Sequence, residues 1–225
     1  MTRITRLAVV AVCAIAGSWI GEAAHGGSIP LTNPTFSMPP QGAFDAQFGG
    51  VPGWATPGNN AGVLNYTASS GSPTTEAPYW PSIPAGTTFA FSNGGSLEQI
   101  TTSPSGIITA GQMYKLVVDA GQGIGVGNPT TNTVTLVAAD GTVLNSATVA
   151  NSAGSFTAET LTYTAPLSGA VLGQQIGVEL SSNGVQSSFN TVALATVPEP
   201  GALGLLACGV LGLSWFVRRR ARTSR

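Results

Sequence analysis

The chain has 225 residues, a formal net charge of −1 and only 8% charged residues, against roughly 25% in an ordinary soluble domain. Its 43% hydrophobic content can supply a core, and 30 Gly with 15 Pro stay below the level that marks a low-complexity chain. All seven Arg lie at the two ends, while between Ile29 and Thr196 one base, Lys115, stands against Asp45, Glu76, Glu98, Asp119, Asp140, Glu159 and Glu179; such an acidic middle cannot neutralise a row of phosphates, which excludes nucleic-acid binding.

Arg3 and Arg6 precede an uncharged apolar run over residues 7–20, and small residues follow it, with cleavage patterns at Gly21-Glu22-Ala23 and Ala24-His25-Gly26. The run has no polar residues at helical spacing, as a core helix would, and is short of the roughly 20 residues that span a bilayer. Residues 1–26 are therefore expected to be a helical export signal that is cleaved.

Residues 27–196 read as strands. Met113 to Asp119 alternates, with Tyr114, Leu116 and Val118 on one face. Thr133 to Ala138 turns Val134, Leu136 and Ala138 inward. Asp140-Gly141 then signals a hairpin, with residues 142–149 as the return strand. Residues 87–92, 97–101, 160–164, 175–181 and 189–194 add further strands, separated by Gly, Asn and Pro turns. No apolar stripe at 3.6 spacing interrupts them. The expected fold is all-β: an antiparallel β-sandwich.

Residues 197–225 form a tail in three parts: Val197-Pro198-Glu199-Pro200, the uncharged run Ala202 to Val217, then Arg218, Arg219, Arg220, Arg222 and Arg225. A helix of those sixteen residues reaches about 24 Å, close to the hydrocarbon thickness once the Arg side chains snorkel. Arg218, Arg219, Arg220 and Arg222 would stop transfer, because cationic flanks stay on the cytoplasmic side. A single transmembrane helix is expected, anchoring an exported precursor in the inner membrane. Cys13 and Cys208 lie in the two terminal runs, so the mature domain keeps no thiol.

This tail resembles the PEP-CTERM protein-sorting signal in the order and spacing of its parts. The resemblance implies an exosortase, a membrane-embedded cysteine transpeptidase, as processing partner. It also implies a mature protein at the surface or in the matrix of a Gram-negative-type, exopolysaccharide-making bacterium. In that reading Val197, Pro198, Glu199 and Pro200 are the address label, kept extended because proline resists helix. The middle is similar to jelly-roll, galactose-binding-like domains in Asn33-Pro34-Thr35-Phe36, Val51-Pro52-Gly53-Trp54, the stretch from Phe91 to Gln99, Gln112 to Asp119, and Phe189-Asn190-Thr191-Val192. It departs from them where Ser37 and Asn190 stand in place of acids.

For chemistry the inventory is thin. The single His25 sits at the cleavage junction, which removes a His base and a zinc site from the mature chain. No local spacing pairs two carboxylates, so a secreted glycoside hydrolase is the least favoured reading. No catalytic residue, metal or cofactor is expected, and the domain reads as non-catalytic. The alternative is a carbohydrate-binding module for extracellular polysaccharide. Its candidates are Tyr79 and Trp80, which either stack on sugar rings or fold back as a lid. Mass spectrometry of the mature protein should find neither the first ~20–26 residues nor anything beyond the Pro-Glu-Pro region. An intact C-terminus in mature material counts against sorting.

Overall fold

A computed structural model of the protein describes residues 26–37, 46–48, 50–57, 60–66, 80, 82–84, 87–124, 131–150, 153–183 and 186–198. The expected export and membrane helices, Tyr79, Glu199, Pro200 and the Arg cluster lie outside the described residues. The chain divides into two compact units, Ser28–Ala195 and the combined ends Met1–Gly27 with Thr196–Arg225.

The described strands are β1 (Ser28–Ile29), β2 (Ala46–Phe48), β3 (Asn60–Tyr66), β4 (Thr87–Asn93), β5 (Ser96–Ile100), β6 (Met113–Gln122), β7 (Thr131–Ala138), β8 (Val143–Ala150), β9 (Ser155–Thr164), β10 (Ile176–Ser182) and β11 (Ser187–Val197). Seven form one sheet in the order β2-β3-β4-β11-β6-β9, with β1 paired to β11. The other four form a second sheet, β5-β10-β7-β8. The pairings are antiparallel, and the all-β sandwich stands as expected.

Between the sheets lies the main core. Tyr114, Leu116, Val118 and Ala120 of β6 face Val134, Leu136 and Ala138 of β7 and Ile176, Val178 and Leu180 of β10, the period-2 stripe that each sequence announces. The β7–β8 hairpin closes where Asp140-Gly141 said it would. Gly141 takes φ +84°, and the Asp140 carboxylate accepts from Thr142 N and Gln174 Nε2, both at 2.9 Å. These bonds, the Gln174 one foremost, hold Asp140 below the ordinary carboxylate pKa.

Three strands escape the pattern reading. In β3, Ala61 and Val63 point into the sandwich while Leu64 points out into a second apolar cluster. Apolar residues on both faces erase the alternation that reveals a strand. β1 and β2 have only two and three residues, too few for a pattern.

Tyr114 ties the core to a loop. Its ring is fully buried, its hydroxyl donates to Ile107 O and it accepts from Thr109 N, both at 2.9 Å. Removing that oxygen would leave both backbone groups without this partner. Tyr114→Phe is therefore expected to cost about 1–3 kcal/mol, read as a lower denaturant midpoint at unchanged slope.

Candidate functional site

The outer face of the larger sheet carries its own apolar cluster, and β4 is the reason. Ala90 belongs to the core between the sheets, so its neighbours Phe89 and Phe91 must point the other way. Leu64 stands opposite Phe89 in the register and joins them there. The connection between β3 and β4 lays Trp80 over this patch, burying it to 3% exposure. The Trp80 ring centroid lies 5.0 Å from Phe89 and 4.9 Å from Phe156, nearly parallel to the latter at 15°. Phe89 and Phe156 meet edge to face at 5.4 Å, the arrangement that ring quadrupoles favour.

Phe156 comes from the far edge, on β9. It reaches the cluster because its cross-strand partner is Gly121. A Cβ at Gly121 would stand 2.9 Å from Phe156 Cδ1 and would also meet Ser155 O, so only a bare backbone lets the ring lie there. Ser188, opposite Phe91 on β11, is likewise small and buried. Small residues in the middle strands and large ones at the sides make an aromatic site on a sheet.

Two polar groups border it. Asp119 lies two residues before Gly121 on the same outward row of β6 and is half-buried. It is the one carboxylate that the alternation turns to this face among the described residues. Phe189 packs inward opposite Ala90, which turns Asn190, half-buried, away from the core. Phe189 and Val192 both enter the core although three positions apart, so the alternation slips by one residue beside Asn190.

The remaining sequence-derived residues fall elsewhere. Trp80 takes the place of a lid, with its ring already stacked on Phe156; it presents no free face for a sugar. Pro198 is described and half-buried. Two of the segments that carried the galactose-binding-like resemblance meet: Asn33 Nδ2 donates to Pro52 O at 3.1 Å, Trp54 Nε1 to Asn33 O at 3.4 Å, and the Phe36 ring lies 5.4 Å from that of Trp54. Gln99, buried, clamps the two loops that meet here, accepting from Thr32 N at 2.7 Å and donating to Thr32 O at 3.0 Å and to Gly53 O.

Tertiary pairing also brings together two carboxylates that are far apart in sequence. Glu98 and Glu179 are direct cross-strand partners on the outer face of the smaller sheet, where Ser181 Oγ donates to Glu179 Oε1 at 3.1 Å. They stand side by side on adjacent strands, whereas glycosidic cleavage needs carboxylates flanking the substrate. Among the described residues no three His, Cys, Asp or Glu side chains are grouped to hold a metal ion.

Two packed antiparallel sheets with an aromatic cluster on the outer face of the larger one define a β-sandwich domain. The comparisons narrow this. Residues 27–195 match the HpiC1-like family, described as HpiC1 cyclase, and residues 196–220 match the PEP-CTERM protein-sorting motif. The chain belongs to the HpiC1-like family and carries the PEP-CTERM motif, which makes it an exported protein sorted by an exosortase. An apo cyclase from Fischerella sp. is similar at 24% identity and TM-score 0.63, over 77% of this chain and 97% of that one. The Stig cyclase FisC from Fischerella sp. TAU, solved with (3Z)-3-(1-methyl-2-pyrrolidinylidene)-3H-indole, is similar at 23% and 0.63 over 77% and 99%. A cyclase from Fischerella sp. TAU solved with 4-(1H-indol-3-yl)butan-2-one gives 23% and 0.63 over 76% and 98%. At these identities the likeness establishes the fold. No curated protein matches the chain.

The family overturns the expectation of a non-catalytic domain, because its defining member is a cyclase. That expectation weighed His bases, paired carboxylates and metals, the tools of hydrolysis. A shaped apolar surface that holds a substrate in a reactive conformation needs none of them, and residue counts do not reveal it.

Truncating Trp80 tests the cluster. Trp80→Ala is expected to cost about 3–5 kcal/mol, read by thermal or denaturant unfolding; a loss below about 1 kcal/mol would contradict the packing described.

Proposed function

We propose that the protein is exported, held at the inner membrane by its tail, trimmed by an exosortase at the Pro-Glu-Pro junction, and delivered outside the cell as a cyclase-type β-sandwich. Its mature domain binds and converts a flat, largely apolar molecule on the outer face of the larger sheet. The observation that carries this reading is the Trp80–Phe89–Phe156 cluster, set in a domain of the HpiC1-like family. Two solved relatives hold indole compounds, and an indole-bearing substrate is the class that stacked aromatics recognise best.

The roles follow from the chemistry of the side chains. Phe89, Phe91 and Phe156 supply the apolar floor, and Trp80, which lies stacked on it, gives way when a substrate enters. Confinement against this floor holds a flexible substrate near its reactive geometry, the largest contribution such a site can make. Asp119 is the group placed to give or take a proton at the rim, and Asn190 can donate a hydrogen bond without changing charge.

The probe 4-(1H-indol-3-yl)butan-2-one checks the site on the purified mature protein. It is expected to raise the Tm and to change tryptophan emission in the wild type, with both effects lost in Phe89→Ala. Asp119→Asn is expected to retain binding and lose any turnover found with indole substrates. No Tm change at millimolar probe with folded protein would sink the proposal.

A further inference from the structure

The tail junction has a feature that deepens the processing part of this reading and rests on it. β11 continues to Val197, so the sorting segment begins inside the last strand and no linker precedes Pro198. Thr196 is held there by Gly27. Thr196 N donates to Gly27 O at 2.9 Å, Gly27 N donates to Thr196 Oγ1 at 2.8 Å, and Thr196 Oγ1 stands 3.3 Å from Gly27 O. One residue earlier, a Cβ on Gly26 would come within 2.6 Å of Pro198 Cδ and 2.7 Å of Thr196 O. Real Cβ atoms essentially never approach backbone so closely, so position 26 must be bare for the chain to lie here. A Cβ on Gly27 would meet nothing nearer than Thr196 Oγ1 at 3.9 Å.

The residues at the expected leader cleavage point thus lie against the residues that open the sorting segment. An enzyme that cuts a peptide must align it in extended form, commonly by taking up its backbone N–H and C=O groups. At Thr196 the backbone N–H and the side-chain hydroxyl are already engaged by Gly27. We propose that Gly27, which heads the domain once residues 1–26 are removed, straps the sorting junction, and that tail removal takes place on molecules in which Thr196–Pro198 have left that strap. The front of the mature domain thereby sets the rate at which its own tail is processed.

The test follows tail loss by pulse–chase in cells that make the full chain and a processing enzyme. N-terminal sequencing of each product reports leader removal separately. Thr196→Val removes the hydroxyl that accepts from Gly27 N. It is expected to speed tail loss about fivefold, the rate equivalent of one net hydrogen bond. Gly27→Ala fits the space and should process at the wild-type rate. Unchanged or slower tail loss in Thr196→Val, with the leader removed normally, overturns the strap. A wild-type chain that never loses its tail overturns the processing reading instead.

Discussion

The larger sheet has to satisfy two apolar faces at once, and most of what is distinctive in this protein follows from that. Its inner face packs on the smaller sheet through Tyr114, Leu116 and Val118; its outer face packs under Trp80. A strand serving both faces must choose which side receives its bulk. β4 sends Phe89 and Phe91 outward and keeps Ala90 and Ser92 inward, where β3 and β11 supply Val63 and Phe189 to fill the space. Gly121 and Ser188 then leave room on the outer face for rings arriving from β4 on one side and β9 on the other. The aromatic site is the outcome of that division of volume, since close-packed interiors leave few alternatives.

The domain is held together almost without charge. With Lys115 as the single base between Ile29 and Thr196, the described cross-links between segments are hydrogen bonds and, the Asp140–Gln174 one apart, mainly neutral. Gln99 clamps the first loop, Tyr114 anchors the loop before β6, and Asn145 Nδ2 donates to Thr162 O at 2.7 Å between the edge strands of the two sheets. Such bonds are short-range and little screened by salt, which suits a protein exported to a medium of uncontrolled ionic strength. The cost is that edge strands such as β8, Val143 to Ala150, carry no charge to discourage pairing with other chains.

The reasoning from composition failed at one definite step. Counting His, Cys and spaced carboxylates tests for chemistry that needs strong nucleophiles, bases or metals. It is blind to an apolar surface assembled from strands distant in sequence. Phe89, Trp80 and Phe156 belong to β4, a connecting loop and β9, and nothing in their spacing announces that they meet. The same blindness hid the Glu98–Glu179 neighbours, which only the β5–β10 register brings side by side.

What could be read in the sequence was whatever is local or periodic. The sorting segment from Val197 to Pro200 and its Arg terminus are contiguous, so their order alone identified them. β6, β7 and β10 betray themselves because their core residues recur with a period of two, and β8 by the Asp140-Gly141 turn before it. Tertiary structure alone decided the direction of Phe89 and Phe91, the existence of β3 as a strand buried on both sides, and the approach of Gly27 to Thr196. In each case the deciding partner lies tens of residues or more away along the chain, and side-chain volume, which no local pattern encodes, settles which face a residue takes.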